Sequence, residues 1–82
     1  PITVSPADKQ VVLTHQEQHN RYILHLLGDG NTTVKLDPEF VPVNRIAGQY
    51  PAEGWSAELK TTKEELRIEV SGDAKDRLLV LE

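Results

Sequence analysis

Short apolar runs, separated by glycine, proline and small polar residues, repeat along the whole chain. The alternation is strictest in Trp55–Thr61 and in residues 66–70, where apolar and polar residues take turns. Such period-two alternation is typical of strands with one buried face. Arg21–Leu27 is mostly apolar on both faces, which is typical of a central strand that is covered on both sides.

The runs with strand character are residues 2–4, 11–14, 21–27, 32–36, 55–61, 66–70 and 78–81. Residues 40–46 are an ambiguous further strand, which would lie at an edge because Pro42 has no N–H to donate. Residues 48–54 predict a loop, and no stretch has the apolar spacing of a helix. The pattern therefore predicts an all-β fold, an antiparallel β-sandwich of seven to eight short strands, with an open barrel as the alternative.

Length and charge narrow the function classes. The 82 residues are enough for a single domain, residues 1–82, with one modest core. The net charge of −4 argues against binding to nucleic acid or to an anionic membrane, since both need a basic face. Because the chain has no cysteine, disulfides, thiolate metal sites and cysteine nucleophiles are excluded.

Two histidines, His15 and His19, are four residues apart and form the best candidate for a metal site. On an extended chain they lie about 13 Å apart, too far to share one ion. We therefore predict no metal site and no cofactor, and we interpret His25 as a hydrogen-bonding strand residue. None of the serines lies in a glycine-flanked elbow, so we predict no catalytic residue and no enzymatic activity in this chain.

Two aromatic residues, Tyr50 and Trp55, flank the loop at residues 51–54. Exposed rings at such a place could form a platform for the apolar face of a sugar, and these two residues are the candidate ligand site. The competing interpretation is a core position, because Trp55 is in phase with the inward Ala57 and Leu59. Exposure of the rings distinguishes the two interpretations.

Three stretches of the chain together resemble a known family. They are the strand Arg-Tyr-Ile-Leu-His-Leu-Leu at 21–27, the turn and strand at 28–36, and the terminal run at 77–82. The rhythm is similar to that of the small C-terminal β-sandwich domain that follows the (β/α)₈ barrel in many glycoside hydrolases, beta-galactosidase-like enzymes among them. In that family the catalytic carboxylates lie in the barrel, so the resemblance assigns no catalytic residue here.

The resemblance implies a non-catalytic structural accessory domain of a carbohydrate-active enzyme, whose partners are the other domains of the same chain. A start at Pro1 fits this, and we expect an excised C-terminal domain of a longer protein. Secretion or a periplasmic location is implied only through the family. The alternatives are a carbohydrate-binding module that uses Trp55 and Tyr50, and a β-sandwich module for protein interaction or adhesion.

Overall fold

The computed structural model describes residues 2–82 and contains eight strands in that range. They are β1 (Thr3–Ser5), β2 (Gln10–Gln16), β3 (Arg21–Leu27), β4 (Thr32–Leu36), β5 (Ile46–Tyr50), β6 (Trp55–Thr61), β7 (Leu66–Gly72) and β8 (Asp76–Leu81). The short 3₁₀ helix Glu17–His19 lies between β2 and β3. Most strands therefore form where the apolar pattern predicts them.

The strands form two four-stranded antiparallel sheets. Sheet I has the order β1-β4-β7-β6 and sheet II the order β2-β3-β8-β5. Their inward residues make one core between the sheets, as the alternation predicts. The antiparallel β-sandwich is thus confirmed.

The core is built from branched aliphatic side chains of both sheets. Its fully or almost fully buried members are Leu24, Leu26, Val34, Leu36, Leu66, Ile68, Val70, Leu79 and Leu81. Burying one such side chain stabilises the fold by about 1.5–3 kcal/mol, so these positions supply most of the gain that offsets chain entropy.

The prediction for residues 40–54 is wrong in its detail. The strand is Ile46–Tyr50, which includes residues expected in a loop, whereas residues 40–45 form none. The backbone N–H of Val43 donates to the carbonyl of Val41 at 2.9 Å, a local turn that suits Pro42. Both valines are nevertheless buried. The alternation of apolar and polar residues did not predict β5, because its pairing with β8 is irregular between Ile46 and Gly48 and this irregularity interrupts the period of two.

Gly72 determines how closely β6 and β7 approach each other at one end of sheet I. It pairs with Trp55 and has a φ of +120°. A Cβ at this position would lie 2.5 Å from the Trp55 Cα, which no side chain tolerates. The absence of a side chain at Gly72 therefore allows the Trp55 backbone to sit where it does.

Candidate functional site

The centre of the outer surface of sheet II is mostly apolar, with His25 and Thr14 among the apolar side chains and Gln10, Gln16, Arg21 and Asp76 at its ends. The pairing registers align Val12, His25, Leu78 and Tyr50 in one row across the four strands. The next row is Thr14, Ile23, Val80 and Gly48. We call Val12, Ile23, Leu27, Leu78, Val80 and Tyr50 the apolar face.

The members of the apolar face belong to the surface and not to the core. Val12 is 51% exposed and Tyr50 is 60% exposed. Ile23, Leu27, Leu78 and Val80 are half-buried by their neighbours within the sheet. Strands about 4.8 Å apart with a rise of about 3.3 Å per residue give the whole outer side of four six-residue strands a flat area of about 380 Å², of which the apolar face occupies a part.

The outer surface of sheet I is charged instead. One row across its strands contains Lys35, Arg67 and Lys60, and the adjacent row contains Glu69 and Glu58. The Nη1 atom of Arg67 lies 3.7 Å from the Glu69 carboxylate, so neighbouring rows attract each other. A shallow groove of about 370 Å³ crosses this surface beside the two glutamates.

The structure separates the two aromatic residues that were predicted as a sugar platform. Trp55 is only 7% exposed, and its indole N–H donates to the Pro51 carbonyl at 2.6 Å. Tyr50 lies on the apolar face, where its ring covers Gly48. An exposed platform would therefore depend on Tyr50 alone.

Arg77 is a buried cation that the sequence pattern did not identify. It is in phase with the inward Leu79 and Leu81, and its side chain is fully buried. The Nη1 atom donates to the Gly30 carbonyl at 2.8 Å, and the guanidinium lies 5.8 Å from the Trp55 ring centre, within cation–π range. The signal in the sequence is the alternation along β8, because Arg77 is two and four residues before Leu79 and Leu81 and therefore faces the same side as they do.

The remaining guanidinium nitrogens of Arg77 are unsatisfied. Nε and Nη2 are buried and have no hydrogen-bond partner among residues 2–82. Desolvation by burial lowers the pKa of Arg77 from its ordinary value, and the negative charge of Asp29 partly opposes this shift. Arg77 therefore contacts Gly30 and Trp55 at one end of the sandwich, but its burial costs solvation free energy because two of its nitrogens have no partner.

The two histidines that were considered as metal ligands lie at the end of β2 and in the 3₁₀ helix. The His15 ring lies on the Tyr22 ring, with a centroid distance of 4.2 Å and an interplanar angle of 5°. His19 ends the 3₁₀ helix. Within residues 2–82 no three or more histidine, cysteine, aspartate or glutamate residues are grouped so that they could hold a metal ion.

Comparison of the chain with protein-family models, with curated proteins and with solved structures finds no match. No helix within residues 2–82 is long and apolar enough to cross a membrane. The most distinctive feature of the sandwich is the difference between the outer sides of its two sheets.

Proposed function

We propose that this chain is a non-catalytic accessory domain that packs through its apolar face against a neighbouring domain of the same protein. The accessory β-sandwich of a glycoside hydrolase is the kind of domain that we infer. The observation that supports the proposal is the group of apolar side chains Ile23, Leu78 and Val80, which surrounds His25 on the outer side of β3 and β8, the two central strands of sheet II.

The composition of the apolar face favours a covering layer. A sheet with one solvated side normally carries polar residues there, as sheet I does. Ile23, Leu78 and Val80 instead occupy the centre of the outer side of sheet II. Apolar area gains about 25 cal/mol per Å² when it is removed from water. Covering these side chains with another apolar surface would therefore be favourable.

The size of the apolar face favours a domain of the same chain as the covering layer. A partner that covers the whole outer side of sheet II, polar positions included, would bury about 800 Å² in total over the two surfaces, which is within the range of about 600–1,500 Å² for interfaces between domains of one chain. Obligate subunit interfaces usually bury more than about 2,000 Å². A tethered neighbour needs less area because its effective concentration is high.

The carbohydrate alternative has one supporting observation, the exposed ring of Tyr50. Its cross-strand neighbour is Leu78, and its ring covers Gly48. A sugar site needs polar groups that hydrogen-bond the hydroxyls beside the stacked ring. The environment of Tyr50 is therefore better suited to an apolar partner surface.

The first test uses the full-length product of the gene that encodes these 82 residues. Leu78→Glu introduces a charge at the centre of the apolar face, and Lys35→Glu on a central strand of sheet I is the matched control. We expect Leu78→Glu to separate one thermal unfolding transition into two and to raise hydrogen exchange in the contacting domain. The control should change neither. A coding sequence without a further domain, or equal behaviour of both variants, would contradict the proposal.

The second test measures sugar binding directly. Amide chemical shifts of the 82-residue chain are followed while galactosides, glucans and xylans are added. The accessory-domain proposal predicts no saturable shift at Tyr50 or its neighbours. Saturable shifts centred on Tyr50, lost in Tyr50→Ala and retained in Phe40→Ala, would support the carbohydrate-binding alternative instead. Phe40 is the matched control because its ring is also exposed.

A further inference from the structure

The four edge strands of the sandwich differ in how well they are protected against pairing with another chain. Natural sheets protect an edge with short length, charge, proline or a bulge. Strand β1 has three residues and is followed by Pro6. Strand β5 is irregular between Ile46 and Gly48. Strand β6 exposes Glu58 and Lys60.

Strand β2 has none of these protections. Its seven residues, Gln-Val-Val-Leu-Thr-His-Gln, include no proline, no glycine, no acidic residue, no lysine and no arginine. Its register with β3 is continuous from Gln10 to Gln16. It is paired on one side only, because it is the end strand of sheet II. Backbone donors and acceptors on its other side are therefore available along its whole length.

The sequence around β2 complements itself when two copies run antiparallel. With the two-fold axis at Leu13, Val12 lies opposite Thr14 of the second copy, and Gln10 lies opposite Gln16. One residue beyond the ends of the strand, Lys9 comes close to Glu17, the first residue of the 3₁₀ helix, and the Lys9 ammonium also donates to the Asp29 carbonyl at 2.8 Å. Symmetry repeats each of these contacts, so the register gives two pairs of opposite charge and no pair of like charge.

We propose that two copies of this chain associate through β2, forming one continuous eight-stranded antiparallel sheet. The occupant of the edge is a second copy because the flanking charges match in the two-fold register. This interface shares only Val12 with the apolar face, which stays on the outer side of the extended sheet. A result that contradicts the accessory-domain function would therefore not contradict dimerisation through β2, and the reverse is also true.

The side chains at the edge allow this pairing. Val12 and Thr14 are exposed and β-branched, which suits a cross-strand pair. The Oε1 atom of Gln16 accepts from Arg21 Nε at 2.6 Å, which leaves the amide nitrogen of Gln16 free to donate to Gln10 of the second copy. Glu17 is exposed and begins the 3₁₀ helix directly after the strand.

The test measures self-association of the 82-residue chain by sedimentation equilibrium, with hydrogen exchange of β2 at low and high concentration. Pairing through a small edge predicts a Kd in the range of about 10 μM to 1 mM. Alternate amides of β2 should become protected only at high concentration, because every second N–H of an edge strand points outward. Throughout, circular dichroism verifies that each variant folds.

Charge reversal then tests the register. Lys9→Glu and Glu17→Lys each create two like-charge contacts, and we expect either to weaken the dimer roughly tenfold. The double variant restores both contacts with opposite sign and should return Kd to within about threefold of the starting value. Lys60→Glu at the edge strand β6 is the control and should leave Kd unchanged.

Three outcomes would overturn the proposal. The first is a chain that remains monomeric at 1 mM, about the upper limit of the expected Kd. The second is a dimer in which the exchange of β2 amides does not depend on concentration, since that would place the contact on the apolar face or on β6. Failure of the double variant to recover while each single variant weakens the dimer would reject the two-fold register at Leu13.

Discussion

The two sheets have similar inner surfaces and opposite outer surfaces. Inside, both contribute leucine, isoleucine or valine to one core. Outside, sheet I carries charged rows that contain Lys35, Arg67 and Glu69, whereas sheet II carries Ile23, Leu78 and Val80. The inner surfaces explain why the chain folds, and the difference between the outer surfaces is the basis on which we propose that sheet II packs against a neighbouring domain.

This difference separates two uses of hydrophobic residues. On β8, Leu79 is fully buried, whereas Leu78 points to the opposite side and packs against no core residue. The same residue type thus stabilises the domain at one position and forms a surface at the next. Composition alone cannot make this distinction, but the parity of the strand can.

The largest expected effect contrasts these two leucines. Leu79→Ala removes a fully buried side chain and should lower the free energy of unfolding by about 2–5 kcal/mol, since it leaves a cavity. Leu78→Ala should cost less than about 1 kcal/mol in the isolated domain, because solvent already reaches this side. Urea denaturation of both variants measures the difference. Equal losses would show that the outer side of β8 is also part of the core.

The second effect concerns Arg77, the buried charge on the inner side of the same strand. Two of its nitrogens lack a partner within residues 2–82. Arg77→Met keeps the length of the side chain and removes the desolvated charge, so we expect the stability to be unchanged or to rise by about 1–2 kcal/mol. Thermal denaturation gives the sign of the change.

The control for Arg77 is Arg67→Met on the outer surface of sheet I. Arg67 is only half-buried; its contact with the Glu65 carboxylate at 3.1 Å is opposed by repulsion from Lys35 and Lys60 directly across from it, so its loss should change the free energy of unfolding by no more than a few tenths of a kcal/mol in either direction. A large loss of stability in Arg77→Met would mean that the contacts with the Gly30 carbonyl and the Trp55 ring outweigh the desolvation. The hydrogen bond to Gly30 and the cation–π contact with Trp55 would then together stabilise this end of the sandwich.

The fold was predictable to the extent that strands alternate. Trp55–Thr61 and Arg21–Leu27 form as the pattern indicates, because each pairs regularly with its neighbours. Strand β5 was not predictable, since its irregular pairing with β8 hides the period of two. The sequence pattern also does not predict which strands share a sheet, because that depends on contacts between residues that are distant in the sequence.

The candidate surfaces were only partly predictable. An apolar outer side of β3 follows from the run Arg21–Leu27, for which a cover on both sides was expected. The sequence could not show that within residues 2–82 nothing covers it. The burial of Arg77 was implicit in its parity with Leu79, but a charged residue within an apolar strand is usually placed at the surface.

The smallest effect tests how the charged surface of sheet I is held together. Glu58 lies directly opposite Glu69, and Lys60 lies directly opposite Arg67. Directly opposite Cβ atoms are about 4.5–5.5 Å apart and diagonal ones about 7–8 Å, so repulsion within a row should exceed attraction between rows. Glu58→Thr should therefore raise the free energy of unfolding by about 0.2–0.5 kcal/mol, with Thr61→Ser as a neutral control.

The gain in stability of Glu58→Thr, measured by urea denaturation, should shrink in 0.5 M salt, because charges at the surface are screened over about 4–5 Å there. A loss of stability instead would show that diagonal attraction between the rows dominates. The polar surface would then contribute to the stability of the sandwich, while the apolar surface of sheet II would still be the one available to a partner.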